Sequence, residues 1–380
     1  MNNLGFGTMR LPLNSANQTD FNYPELDAMM DAFLDAGFSY VDTSAVYHNG
    51  KSEEAVRKSL VDRYPRDSFT IATKFPTFAM VPEDKIEETF QGQLKALGVD
   101  YVDYYLLHNV QTTLYDGVDG KGGIIKQTHL FDHLKRWKKE GLAKHIGFSF
   151  HSSADVLDRV LTEHPEVDFV QIAVNPIDWD SEFVQAARCL EVIRRHGCKI
   201  VIMEMAKGGG LSKLPKEAAE VLDGIHPDWT PSSWMLRFSL VMDDVIAVLS
   251  GMSNREQLTD NIATTQTCEK LNAREMDALW TAMRLYRESA PITPNALKPY
   301  EGLLWNGVPV TAILQAYSIC QVQPMPGFSD DNNYFKNALA EHAHLDMRNE
   351  LPRPTIILPN GADATAIVNE AVDWLVEHSF

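Results

Sequence analysis

The amino-acid sequence predicts an α/β fold: a (β/α)8 TIM barrel followed by a mainly helical carboxyl-terminal appendage. Short apolar, β-branched runs alternate with amphipathic stretches of helical period, and the alternation recurs eight times within about 250 residues. The runs are hydrophobic almost throughout, as strands buried on both faces are. This suits a closed parallel barrel, with an open doubly wound sheet as the alternative. Beyond about residue 290 the rhythm gives way to clusters containing Pro and Gly, which sets the appendage apart.

The strands are expected at residues 3–8 (NLGFGT), 39–43 (SYVDT), 69–74 (FTIATK), 102–108 (VDYYLLH), 145–149 (HIGFS), 169–174 (FVQIAV), 199–204 (KIVIME) and 245–250 (VIAVLS). Helices are expected at 23–37, 52–64, 83–98, 131–142, 153–164 and 181–197, several of them stopping at Gly beside basic residues, and another starts near Asn254. Residues 1–275 form the expected barrel and 276–380 the appendage. The appendage holds the clusters SAPITPNALKPYEGLLWNGVP and QVQPMPGFSDDNN and no further strand–helix pairs. It closes with AIVNEAVDWLVEHSF, whose helical apolar spacing predicts that it packs back on the rest.

Composition narrows the function. At 380 residues, 44% hydrophobic and 23% charged, the chain is able to bury a large core. Lys and Arg number 34 against 52 Asp and Glu, a net charge of -18 that repels phosphate polymers and anionic lipid heads, so neither nucleic acid nor membrane is an expected partner. Cys189, Cys198, Cys268 and Cys320 are too few and too scattered for a disulfide framework or a metal cage, and are read as buried thiols. The opening MNNLGFGTMRLPL lacks a signal peptide's charge and apolar pattern, and no run approaches the roughly 18 apolar residues of a membrane span. A cytoplasmic protein is expected.

A barrel presents its chemistry at the carboxyl ends of its strands. Three consecutive ends supply ionisable groups: Asp42 and, a short loop later, Tyr47 from the second, Lys74 from the third, and His108 from the fourth. Singly, each has an ordinary reading as a capping acid, a surface aromatic, a snorkelling charge or a core histidine. Together at one mouth they form a set able to hand a proton to a carbonyl oxygen. An adjacent ammonium is expected to lower the phenol's pKa from about 10, Asp42 to hold Lys74, and His108 to bond the substrate oxygen.

The segments VDTSAVYHNGKSEEAVRKSL, IATK, LGVDYVDYYLLH, GLAKHIGFSFHSS, VQIAVNP and SGMSNREQLTDNI, in that order over residues 3–270, resemble the aldo-keto reductase superfamily. The resemblance implies that Asp42, Tyr47, Lys74 and His108 are the catalytic tetrad with Tyr47 as general acid. It also implies NADPH, with NADH as the alternative, extended across the barrel mouth. By the same resemblance Gly7, Thr8 and Met9 lie beside the nicotinamide and ribose, which Asp42 also approaches, and Ser149 and Gln171 fix the carboxamide, joined by Asn175. Met203 stands where the family stacks a Tyr on the ring, and Gly208, Gly209 and Gly210 face the pyrophosphate. Asp260 and Asn261 match the adenine contacts. The two basic positions that grip a 2′-phosphate read Gly251 and Gln257 here, with Ser253 and Arg255 nearby as replacements.

GFSFH and the helical tail resemble a bacterial subgroup in which a ferredoxin-like domain with four-iron clusters follows the barrel. Laid on this chain, the cluster cysteines fall on Pro294, Leu297, Tyr300 and Leu304 and on Glu341, His344, Met347 and Leu351, so the implied domain is degenerate and without an iron–sulfur cluster, the alternative being that the segment is an unrelated lid. Tyr300, Trp305 and Trp179 are pocket-lining candidates or plain core aromatics, and the Gly-rich connection 109–128 is a candidate lid. The function expected is NAD(P)H-dependent reduction of a small carbonyl or sugar-like compound, or the reverse oxidation, without a metal. The alternatives are a nucleotide-binding regulatory or scaffold protein with little turnover, and a sugar epimerase or dehydrogenase that retains its cofactor. Oligomeric state is not legible.

Overall fold

A computed structural model describes residues 3–322 and 334–378. The eight expected runs are its barrel strands: β1 (Leu4–Gly7), β2 (Tyr40–Asp42), β3 (Thr70–Phe75), β4 (Val102–Val110), β5 (Ala143–Phe150), β6 (Phe169–Ala173), β7 (Lys199–Met203) and β8 (Val245–Gly251). Each pairs in parallel with the next and β8 closes on β1, with Leu4 opposite Val248 and Gly7 opposite Gly251, so the barrel is closed and the open sheet is excluded.

Strand side chains alternate between two faces, and one face of each strand fills the interior. Tyr40, Ala72, Leu106, Phe169, Val201, Ala247 and Leu249 form this plug, separate from the larger apolar cluster between strands and outer helices. Local signals start the helices. Ser153 caps Ala154–Glu163 by accepting from Val156 N, Asn254 caps Arg255–Gln266, and Asn272 with Glu275 forms a capping box on Ala273–Glu288. Two helices are shorter than their periodicity suggests. Residues 52–64 are α-helical only over Ser52–Val56 before widening into a π turn, and 181–197 is helical only over Ala186–Arg195.

The helix Ala273–Glu288 straddles the expected division at 275/276 and packs Leu279, Met283 and Tyr286 into the main cluster. A second apolar cluster gathers Trp305, Ile313, Phe335, Leu339, Val368 and Val372 with Phe183 from the barrel side. The closing helix Thr365–Glu377 buries Val368, Ala371, Val372 and Leu375 there, as its spacing predicts. A hairpin that the sequence reading did not anticipate, β9 (Leu304–Trp305) against β10 (Val308–Pro309), also contributes. Its turn needs Gly307, at φ +83, where a Cβ would meet the His342 carbonyl oxygen at 2.7 Å. The Pro- and Gly-containing residues 323–333 lie outside the described residues. Among the described residues no helix is long and apolar enough to cross a membrane.

The appendage helix Phe335–Ala343 docks over the loops after β4 and β5. Glu341 Oε1 accepts from Thr112 Oγ1 (2.7 Å) and Ser153 N (3.3 Å), and Asn337 Nδ2 donates to Gln111 Oε1 (3.2 Å). The connection 109–128 is held by these bonds, by Lys126–Asp116 and by buried Tyr115, and its one residue on the cavity wall is Asn109.

Candidate active site

Five plug residues stand two positions before a residue of the mouth on the same strand face. Tyr40 precedes Asp42, Ala72 precedes Lys74, Leu106 precedes His108, Phe169 precedes Gln171, and Val201 precedes Met203. The period of two therefore carries the inward face from an apolar floor to a functional mouth.

At that mouth Lys74 Nζ lies 2.5 Å from Asp42 Oδ1 and 2.8 Å from the Thr43 carbonyl, with both charged side chains buried. Its ammonium stands 5.0 Å from the Tyr47 ring centroid. Burial opposes the charge on Lys74, yet Asp42 and then Tyr47 prevail and hold its pKa above the ordinary value. The His108 ring meets Tyr47 edge-on at 5.9 Å and Phe78 at 5.2 Å, and its Nδ1 is 3.1 Å from Ser44 Oγ. Burial, then Lys74 and His151, push the imidazole well below its usual pKa and keep it neutral. Tyr47 departs from expectation. Burial raises its pKa, and although Lys74 opposes this, the net direction is up, because desolvating a phenolate outweighs one ammonium that is already shared with Asp42.

Asp42, Tyr47 and His108 line a cavity of about 690 Å³ that runs from this cluster towards the start of the helix Arg255–Gln266. Of the expected dinucleotide contacts, Gly7, Met9, Asp42, Gln171, Met203, Gly208, Gly209, Ser253, Gln257, Asp260 and Asn261 line it too. Five do not. Thr8 is buried with its hydroxyl on Ser52 Oγ, and Ser149 Oγ accepts from Asn109 N. The Asn175 amide bonds Asp178 and the Glu204 carbonyl, and Gly210 is buried. Arg255 pairs with Glu25 at 2.9 Å and points away. Within the glycine turn, Gly209 N already donates to the Ala206 carbonyl. Of the candidate aromatics, Trp305 is enclosed in the second cluster, the half-buried Tyr300 packs on it and the half-buried Trp179 packs on the main one, and none of the three lines the cavity.

The cavity also uses residues that the sequence reading passed over. Asn109, next to His108, leaves its Oδ1 buried without a partner among the described residues, as Gln171 does its Oε1. Arg10, directly after Met9, reaches the opposite end with its stem on Gly251. Phe78, His151 and Glu204 complete the set. Arg10 and Asn109 adjoin predicted residues, so proximity along the chain was a usable signal for them. Phe78 had none.

Barrels that collect ionisable side chains at the carboxyl ends of their strands, around a large cleft, are the enzyme form of this fold. Within that class the chain belongs to the aldo/keto reductase family, whose model matches residues 3–282 and which places it among the oxidoreductases. An aldo-keto reductase of Mycolicibacterium vanbaalenii is 28% identical over 271 residues, spanning 71% of this chain and 87% of that protein. Two solved structures share the fold. An aldo-keto reductase of Klebsiella pneumoniae in complex with NADPH superposes with a TM-score of 0.56 at 19% identity, covering 74% of this chain and 90% of that one. The holo form of an aldo-keto reductase from Bacillus halodurans has a TM-score of 0.55 at 22% identity, covering 74% and 91%.

Proposed function

We propose that the chain is an NADPH-dependent carbonyl reductase in which Tyr47 delivers the proton, Lys74 and Asp42 support it, and His108 binds the carbonyl oxygen. The observation that carries this reading is the buried ammonium of Lys74 held between Asp42 and Tyr47 at the end of a large cavity. A proton donor must be protonated at rest, and the raised pKa of Tyr47 meets that need. As the proton leaves, the neighbouring ammonium stabilises the phenolate, each pKa unit of such help amounting to about 1.4 kcal/mol. With Nδ1 held by Ser44, His108 is left with Nε2 for the carbonyl oxygen.

The residues present fit a nicotinamide dinucleotide. The orphaned oxygens of Gln171 and Asn109 on the cavity wall call for donors, which a carboxamide has, and Met203 offers a soft apolar platform. Asp260 and Asn261 suit an adenine. Arg10, rather than Arg255, supplies the positive charge near Gly251 and Gln257 that favours NADPH over NADH. When bound, the dinucleotide supplies hydride to the carbonyl carbon.

Residues after Glu288 form the appendage proper in this reading, a degenerate ferredoxin-like unit in which Leu297, Tyr300, Met347 and Leu351 join an apolar cluster instead of ligating iron. Tyr47→Phe is expected to abolish reduction of a reactive aldehyde while NADPH affinity, followed by tryptophan fluorescence, stays within a few-fold. Undiminished turnover in that variant overturns the assignment of the acid.

A further inference from the structure

His151 follows β5 directly and lines the cavity with His108, close enough that a charge on either ring opposes a charge on the other. Its Nδ1 is 2.8 Å from the hydroxyl of Tyr334, with the rings edge-on at 5.3 Å. Its carbonyl oxygen accepts from Asn337 Nδ2 at 2.5 Å. Two appendage residues thus grip one residue of the cavity wall, from positions 183 and 186 residues further along the chain. Their grip is firm, because Tyr334 is buried and the helix it precedes is fastened to the barrel through Glu341.

With Nδ1 engaged, the polar atom His151 has left for the cavity is Nε2. Burial, reinforced by Lys336, pushes the imidazole down to about 4, so the ring is neutral under physiological conditions. A neutral ring whose Nδ1 accepts the Tyr334 hydroxyl hydrogen carries its own hydrogen on Nε2 and is a donor there. The phenol of Tyr47 and the two imidazoles then converge on one end of the cavity, walled by Phe78.

We propose that His151 is a second substrate-binding histidine that donates from Nε2 to an oxygen adjacent to the reacting carbonyl, with Tyr334 of the appendage as the positioning residue. The compounds selected are carbonyls that bear a neighbouring hydroxyl or keto oxygen. The inference rests on the carbonyl-reductase reading, and its test separates the two.

α-Hydroxyacetophenone and its isostere propiophenone are titrated calorimetrically into the full chain, with and without NADP⁺, and both are assayed with NADPH. His151→Phe is expected to weaken binding of the hydroxyketone tenfold or more and to raise its KM similarly with little change in kcat. Propiophenone and dinucleotide affinities stay within about threefold. His151→Gln, which keeps a donor, recovers most of the loss, and Tyr334→Phe reproduces part of it. Selective loss of binding without turnover in the unaltered protein upholds the site and removes the reductase reading. Equal losses for both ketones, no loss, or no binding of the hydroxyketone to the unaltered protein each overturn the proposal.

Discussion

Lys74 and Asp42 are each tolerable in a desolvated site only because of the other. Lys74→Met is expected to lower reduction at least a hundredfold and to destabilise the fold by about 3–5 kcal/mol, because the Asp42 carboxylate is left buried and unpaired. Adding Asp42→Asn should restore much of the stability, read by urea unfolding, and none of the activity. A second buried acid lies behind the site. Glu53 accepts from Thr73 Oγ1 (2.6 Å) and Gln93 Nε2 (2.8 Å), and burial outweighs both bonds to push its pKa up to about 7. Between the ordinary value of 4.5 and about 7, the folded chain holds a proton that the unfolded chain has lost, so stability falls as pH rises through that window. Relative to Glu53→Gln, the protein should lose roughly 3 kcal/mol between pH 4 and pH 8. A pH-independent difference between the two proteins removes the assignment.

At the scale of single elements, strand pairing tolerates little change where backbones meet closely. Gly147 of β5 pairs with Phe169 of β6, and a Cβ at Gly147 would stand 2.3 Å from the Phe169 carbonyl oxygen. Gly147→Ala should therefore cost about 1–3 kcal/mol or more in urea unfolding, since the obstacle is backbone and is unable to turn aside. The strand also leads to Ser149, which holds Asn109 beside His108, and to His151, so the same variant should also impair turnover. Unchanged stability would show that the β5–β6 approach is looser than described.

Across the whole molecule the barrel and the appendage have separate apolar clusters but share polar fastenings beside the site. Glu341 bonds a threonine hydroxyl and a backbone amide of two barrel loops. Glu341→Ala should cost about 1–3 kcal/mol by leaving those donors short of an acceptor. It should also impair turnover more than NADPH affinity, because the loops it holds border His108 and His151 rather than the Arg10 end of the cavity. Activity and stability both unaltered would make the docking of the appendage incidental to the site.

The eight strands, their order and the inward-facing series of Asp42, Lys74 and His108 were legible because side-chain alternation is a local property, readable two residues at a time. So were the helix starts at Ser153 and near Asn254. Other features depend on which distant segments pack together and how much water they exclude, and no local pattern encodes that. Packing turned Arg255 outward to Glu25 and brought Arg10 onto Gly251. It raised the Tyr47 pKa where neighbouring charge alone predicted a fall, since burial is a property of the assembled barrel. It also joined Tyr334 to His151 across 183 residues, a contact that tertiary structure alone decides.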